Sequence, residues 1–382
     1  MSVRAPVPCE GGNTPAALTA LYSALQGGLG GAGTGPLVMT ALGSSPSAIL
    51  ERVTQPWDGV DVVIATSGST SGAGNLVGLS YAALAASARA TFETLRGPGQ
   101  WLTSLPAHHI AGFQVVLRSA LAGIPPVVHS GDPRRLAEEI SSMRADVPRY
   151  LSLVPTQVLR ILEADPTPLT HLDAILVGGA ALPAPLAERA RAAGVPIVTT
   201  YGMTETSGGC VYDGVPLPGV SVTLEDSRVL IAGPTLATRY LHTSAQPFRT
   251  VGGVRHLVTS DLGEWQGDRL AILGRSDDVI ISGGVNVPPA VVEEAITAAL
   301  GSLWSVVGVP DERWGALVVA VTEGDAPLER VREATAHLAP AFRPRAVVSA
   351  QLPHLPSGKV DRRAVAELAA AALREGRAEL HG

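Results

Sequence analysis

The stretch from Ala174 to Thr206, AILVGGAALPAPLAERARAAGVPIVTTYGMTET, carries the plan of the fold in a single strand–helix–strand unit. Ala174–Val177 is a short apolar run closed by glycines, of the kind found inside buried sheets. Pro183–Ala193 follows with helical spacing, and Ile197–Thr200 is a second apolar run. Two apolar strands joined through a helix lie parallel in one sheet. The same alternation runs upstream, with strands expected at Val60–Thr66, Trp101–Leu105 and Tyr150–Val154. Helices are expected at Tyr81–Leu95, Ile110–Ala122, Pro133–Met143 and Thr156–Leu162. The pattern predicts an α/β chain whose large N-terminal domain has mostly parallel sheets flanked by helices. Short strands with Gly and Pro turns from Val220 to Leu273 predict a small β subdomain. Beyond Asp277 the order is strand, helix, two strands, helix, strand and a closing helix at Arg362–Arg374, a small α+β C-terminal domain. The expected division is 1–275 and 276–382. Gly27–Gly35 reads as a flexible loop.

Composition narrows the function. The chain has 382 residues, 46% hydrophobic and 16% charged, which suits a globular protein of two or three domains. A net charge of −6 speaks against a nucleic-acid partner. No apolar run reaches the roughly 20 residues of a membrane span, and no secretory start is visible, so a cytoplasmic location is expected. Cys9 and Cys210 match no metal or disulfide spacing. Lys359 is the only lysine, and every other residue in the Lys+Arg count of 28 is arginine. Arginine is a planar fork and lysine a mobile point charge. Its place in the turn Leu355–Arg362 marks Lys359 as a catalytic candidate.

Two further segments bear chemistry. Thr66, Ser67, Gly68, Ser69 and Thr70 follow an apolar strand, and their hydroxyls and exposed N–H groups suit a polyphosphate. The loop lacks the Gly-Lys-Ser/Thr ending of a Walker loop, and a Ser/Gly linker is the plain alternative. Tyr201, Gly202, Met203, Thr204 and Glu205 follow the strand Ile197–Thr200, where ligands gather in α/β sheets. There a threonine hydroxyl can hold phosphate oxygen and a carboxylate can hold Mg²⁺.

Together these segments resemble the superfamily of adenylate-forming enzymes, which includes acyl- and aryl-CoA ligases, peptide-synthetase adenylation domains and luciferases. The resemblance runs from about Val60 to Val365. It implies ATP, Mg²⁺ and the co-substrate CoA, with an acyl-adenylate intermediate and a mobile C-terminal domain. It places the phosphate loop at Thr66–Thr70, the adenine side at Gly178, Gly179 and Ala180, and the Tyr201–Glu205 element beside them. It further implies that Asp261 holds the ribose, Arg275 points toward it, and Asp277 is the hinge. Glu205 would hold the metal, Gly283 and Gly284 form the CoA-side loop, and Lys359 drives adenylation with Thr204. The chain is most similar to the o-succinylbenzoate–CoA ligase branch of menaquinone biosynthesis. Leu105–Gln114 with Arg118, Ser152–Gln157 and Gly208–Pro216 carry that similarity and make His108, His109, Arg118 and Ser152 candidates for the acid pocket.

Departures and alternatives stand beside this. Family loops run on to Gly-x-Pro-Lys, whereas Ser71–Leu76 has neither proline nor lysine. The family's Trp-Gly-Glu is Trp314-Gly315-Ala316 here. His108 and His109 can be packing residues, Arg118 can be a solvated helix residue, and Cys210 reads as a small pocket residue. Another aryl- or acyl-acid adenylating enzyme of secondary metabolism, loading CoA or a carrier protein, and a nucleotide- or acyl-binding pseudoenzyme remain the competing readings. A homodimer is left open.

Overall fold

A computed structural model of the chain describes residues 6–32, 35–66, 74–301, 303–355 and 359–381. The chain divides into two compact units. The first comprises Met1–Leu182, Arg189–Thr223 and Leu230–Thr259; the second comprises Pro183–Glu188, Leu224–Val229 and Ser260–Gly382.

The first unit holds two sheets. One is five-stranded, in the order Val7–Glu10, Leu37–Thr40, Val62–Ala65, Leu76–Leu79, Arg239–Tyr240. Its first three strands are parallel and its last two pairings antiparallel. The other is seven-stranded, in the order Val215–Pro216, Gly208–Tyr212, Ile197–Met203, Ala174–Val177, Arg149–Leu153, Gln100–Thr103, Val127–Val128. The last five of these run parallel. Tyr81–Thr94 and Ile110–Ala122 pack against both sheets. Leu84, Ala88, Phe113, Val116 and Leu117 meet Val62, Ile64, Val77 and Leu79 of the first sheet. Ala90 and Val115 meet Trp101, Tyr150, Ala174 and Tyr212 of the second. Helix Ile110–Ala122 therefore buries nine of its 13 residues, as a helix apolar on every side must. Its end is set by Gly123, left-handed at φ 67°. Truncating a side chain such as Phe113, which is fully buried here, costs about 3–5 kcal/mol.

The expected β region is a run of antiparallel hairpins. Ser221–Glu225 and Arg228–Ala232 turn through Asp226 and Ser227, both left-handed at φ 50° and 64°. Phe248–Val251 pairs with the start of the long strand Val254–Gln266, whose end pairs with Arg269–Arg275. Residues from Ser260 to Arg275, placed in the N-terminal domain by the sequence reading, group with the second unit.

In the second unit a four-stranded sheet runs in the order Trp304–Asp311, Gly315–Thr322, Ala346–Ser349, Glu379–Leu380. Alternation along its strands fills two cores. Val306, Val318 and Ala320 face helices Pro289–Leu300 and Leu328–Ala334, while Val307, Val309, Val319 and Val321 face Arg362–Arg374. Ile280–Ser282 and Val285–Val287 form a further hairpin.

Two expectations need correction. The Gly27–Gly35 loop is not a loop throughout, because helix Pro15–Leu29 takes in Gly27 and Gly28. Gly28 is there for closeness, since a Cβ on it would fall 2.2 Å from the Tyr81 hydroxyl oxygen. Pro133–Met143 is not one helix but a 3-10 turn, Pro133–Arg135, followed by Leu136–Ser141. Among the described residues no helix is long and apolar enough to cross a membrane.

Candidate active site

Five parallel strands bring their C-terminal ends, Thr103, Val128, Leu153, Val177 and Met203, to one edge of the seven-stranded sheet. That edge is where ligands bind in open α/β sheets. Register aligns the candidates along it, with Ser152 opposite Leu176 and Val177 opposite Thr199. Gly178 and Gly202 are needed for close approach. A Cβ on Gly178 would lie 2.2 Å from Thr200 Oγ1, and one on Gly202 2.2 Å from the Gly208 carbonyl oxygen. Gly179, left-handed at φ 81°, and Ala180 are exposed just beyond the strand end.

Thr204–Thr206 forms a buried 3-10 turn directly after Ile197–Met203. Thr206 Oγ1 accepts from Met203 N at 2.9 Å and donates to the Gly208 carbonyl at 2.7 Å. Ser207 then takes a left-handed φ of 55°, an uncommon conformation for a side-chain-bearing residue. It is held there by Gln114 Nε2, which donates to its carbonyl at 2.7 Å, and by its own hydroxyl, which donates to Thr235 O at 2.8 Å. Strain kept in place by surrounding bonds is a recurrent property of functional turns.

Glu205 is 7% exposed. Tyr240 Oη donates to its Oε1 at 2.6 Å, and its backbone carbonyl accepts from Ala237 N at 2.8 Å. Asn75 Nδ2 donates to Tyr240 Oη at 3.0 Å. Asn75 also closes the neck of the hydroxyl-rich loop, where Asn75 N donates to Thr66 Oγ1 and Thr66 N donates to Asn75 O, both at 2.8 Å. Ser67, Gly68, Ser69 and Thr70 lie outside the described residues. No cluster of three metal-ligating side chains occurs among the described residues. A single buried carboxylate nonetheless fits Mg²⁺ that arrives on nucleotide phosphates, since this ion takes one or two carboxylates and keeps the rest of its shell from phosphate and water.

Arg118 is not a solvated helix residue. It is 3% exposed, with its guanidinium 5.0 Å from the Trp101 ring centroid and one nitrogen donating to Tyr212 Oη at 3.4 Å. Its Nε has no hydrogen-bond partner, and among the described residues no carboxylate pairs with it. Burial holds its pKa below the ordinary arginine value, with Tyr212 opposing slightly. Upstream, the His108 and His109 rings meet with centroids 4.2 Å apart and planes tilted by 47°, and His109 sits at the N-cap of Ile110–Ala122. Burial lowers the His108 pKa, partly offset by the Gly11 carbonyl that its Nδ1 meets at 3.3 Å. Cys210 is fully buried. A cavity of about 580 Å³ lies between Asn13, Ser104, His129 and Glu139 and includes none of the Thr204–Glu205 turn.

The second unit gathers the other candidates. Asp261 and Arg275 face each other across antiparallel strands, 3.8 Å apart at their charged ends. Arg275 is gripped by Asp277 through two bonds, from Nε at 2.8 Å and from a terminal nitrogen at 2.6 Å. Hydrogen bonding to Asp277 raises the Arg275 pKa against the effect of burial. Next to the hinge candidate, burial pushes the Asp278 carboxyl up, and Arg362 offsets this from 3.6 Å. Arg362 also bonds Glu293 at 2.7 Å and Val306 O at 3.0 Å. Gly283 and Gly284 form the two-residue turn of their hairpin at φ 58° and 77°, a conformation that favours glycine at both positions. Trp314 O accepts from Gly283 N at 2.8 Å. Lys359 is exposed, and its carbonyl accepts from Leu355 N at 2.8 Å beside the bridge His354–Val360. Pro356–Gly358 lie outside the described residues. Tyr240 and Asn75 were not singled out by the sequence, and Gln114 closes the Leu105–Gln114 string without being named as a candidate.

The chain is similar to several known proteins. A "Probable 2-succinylbenzoate–CoA ligase" of Mycobacterium tuberculosis is 40% identical over 365 residues, covering 90% of this chain and 94% of that protein. The structure of an arginine-to-lysine point variant of Escherichia coli MenE with bound OSB-AMS is 25% identical with a TM-score of 0.78, covering 96% of this chain and 88% of that one. Bacillus subtilis o-succinylbenzoate CoA synthetase (MenE), in complex with the acyl-adenylate intermediate OSB-AMP, shares the fold at 22% identity and a TM-score of 0.75, covering 94% and 87%. The family described as AMP-binding enzyme matches residues 37–241, more than half of the sequence. With a strand-end turn that presents a buried carboxylate and a matching family over most of its first unit, the chain belongs to the AMP-binding enzymes.

Proposed function

We propose that the chain is an ATP-dependent acid–CoA ligase that converts 2-succinylbenzoate, ATP and CoA to 2-succinylbenzoyl-CoA, AMP and diphosphate. The observation that carries this reading is 40% identity, over nearly the whole chain, to a protein whose name states that ligase. Arg118 gives it a physical basis. A buried guanidinium facing no carboxylate among the described residues suits an acid with two carboxylates, one to be activated and one to be held.

In the first half-reaction a carboxylate oxygen attacks the α-phosphorus of ATP, and the bond to the departing diphosphate breaks. Such transfer is catalysed by positioning and charge neutralisation. Thr204 orients phosphate, Glu205 would hold Mg²⁺, which would offset phosphate charge, and Lys359 neutralises oxygens as the new bond forms. Gly178, Gly179, Ala180 and Tyr201 serve the adenine side, and Asp261 and Arg275 the ribose. In the second half-reaction the CoA thiol, losing its proton, attacks the acyl carbon and AMP leaves. Asp277 is the pivot between the two steps, and Gly283–Gly284 serves the second. A cytoplasmic site of action is part of the reading.

The test is a panel of acids, each supplied with ATP and either CoA or a carrier protein. Turnover of 2-succinylbenzoate with CoA well above benzoate-like monoacids is the expected result. Equal use of monoacids rejects the substrate, transfer only to carrier protein rejects the acceptor, and absence of diphosphate exchange with every acid rejects the enzyme.

A further inference from the structure

The loop after Thr66 carries no lysine, and a chain of hydrogen bonds links its neck to the Glu205 carboxylate. We propose that Tyr240, itself held by Asn75, is a positioning residue that fixes the Glu205 carboxylate for the metal of Mg·ATP and ties it to the neck of that loop. This deepens the reading of Glu205 given above and rests on it.

The polarity of the hydrogen-bond chain is set by its ends. An ionised Glu205 can only accept, so the single Tyr240 hydroxyl proton points to Oε1 at 2.6 Å. The tyrosine oxygen is then an acceptor, and Asn75 Nδ2 supplies the donor at 3.0 Å. Each bond polarises the next toward the carboxylate. Both upstream members are immobilised by the same sheet. Tyr240 pairs with Val77, Leu241 N donates to Leu76 O at 2.8 Å, and His242 Nδ1 accepts from Leu76 N at 3.2 Å. Tyr240 N is further held by Gln246 Oε1 at 2.7 Å. Asn75 in turn closes the loop neck on Thr66 with two bonds of 2.8 Å. With Oε1 engaged by Tyr240, the Glu205 carboxylate is held in one orientation. In that orientation Oε2, which Tyr240 does not engage, would be offered to the metal of Mg·ATP. A tyrosine that only packed against the core would need no such proton, and phenylalanine would serve as well.

The experiment is calorimetric titration of the full-length chain with a non-hydrolysable ATP analogue across a range of free Mg²⁺, which requires no knowledge of the acid. Tyr240→Phe should raise the Mg²⁺ concentration for half-maximal nucleotide binding about 10-fold, the loss of one hydrogen bond to a charged group. Affinity for the metal-free nucleotide should stay within about twofold of the parent. Asn75→Ala should move the Mg²⁺ dependence in the same direction by a smaller factor. The double variant should be no worse than Tyr240→Phe alone, because one break already interrupts the chain. An unshifted Mg²⁺ dependence, or equal loss of metal-free and Mg²⁺-dependent binding, overturns the proposal. If Tyr240→Phe does not fold, Asn75→Ala decides alone by the same criterion. A parent chain that binds no Mg·nucleotide rejects the reading of Glu205 itself, whereas a parent that binds normally with unshifted variants rejects only the role of Tyr240.

Discussion

Replacing Arg118 with methionine should move stability and substrate choice in opposite directions. Taking a cation out of water costs several kcal/mol even after relaxation. The structure returns only part of that. The Trp101 face, with its centroid 5.0 Å away, supplies about 2 kcal/mol when desolvated. The bond to Tyr212 Oη, at 3.4 Å, adds at most about 0.5 kcal/mol. The ligand-free protein therefore carries a net penalty, and a well-packed apolar residue of similar length should stabilise it by about 1–3 kcal/mol. For units of this size that is about 2–4 °C of melting temperature per kcal/mol. The substrate side has the other sign. Removing the partner of a buried carboxylate costs about 2–5 kcal/mol, and about 1.4 kcal/mol is tenfold. In Arg118→Met, kcat/KM for 2-succinylbenzoate should fall about 30-fold or more, while benzoate-like monoacids change little. Melting by calorimetry and an acid panel on the same preparation measure both. A variant that melts lower and still prefers the dicarboxylate would refute the reasoning, because Arg118 would then be a stabilising core residue without a role in recognition.

Other outcomes follow from the same geometry. Lys359→Ala should nearly abolish diphosphate exchange while thioester formation from pre-made acyl-adenylate persists, and Lys359→Arg should also fail in exchange; equal loss of both half-reactions contradicts that division. His108 is favoured neutral by burial, so its contribution to stability is fully present above its ordinary value of 6.5 and lost as pH falls below it. Between about pH 7.5 and about pH 5.5 the parent should lose more melting temperature than His108→Gln, and parallel losses would remove His108 as the cause. A lysine introduced at Ala73 should lower KM for ATP if the loop lacks charge. The change must stop short of Asn75 and Leu76, because Asn75 closes the loop neck and Leu76 is fully buried. An unchanged KM in a folded variant places phosphate binding elsewhere.

The parts of the fold legible in the sequence are those whose ends are chemically marked. Ile110–Ala122, Arg362–Arg374 and Ala174–Val177 have the bounds expected of them. The first ends at a left-handed Gly123, the second starts where Asp361 accepts from Ala364 N at 3.1 Å, and the third ends at Gly178. The N-terminal strands and helix were not legible. Helix Pro15–Leu29 buries only Leu18, Leu21, Leu25 and Gly28, a sparse stripe that its closing glycines disguise as a linker. Leu76–Leu79 shows no alternation because all four of its residues are buried.

The candidate site residues divide along the same line. The Tyr201–Glu205 element, Asp261, Arg275 and Asp277 sit in short strings whose order is itself informative, so a sequence displays them. Asn75 and Tyr240 acquire meaning only from each other, 165 positions apart, and Arg118 from Tyr212, 94 positions away. For Arg118 the signal was nevertheless present. Ile110–Ala122 contains a single charged residue, and a helix with one charge in 13 residues has no polar face to turn to solvent. Such a helix must be covered on every side, so its charge is buried by construction. A buried arginine that meets no carboxylate among the described residues then raises the question of an anion supplied from outside the chain. The question to put to a lone charge in an apolar helix is which ligand completes it.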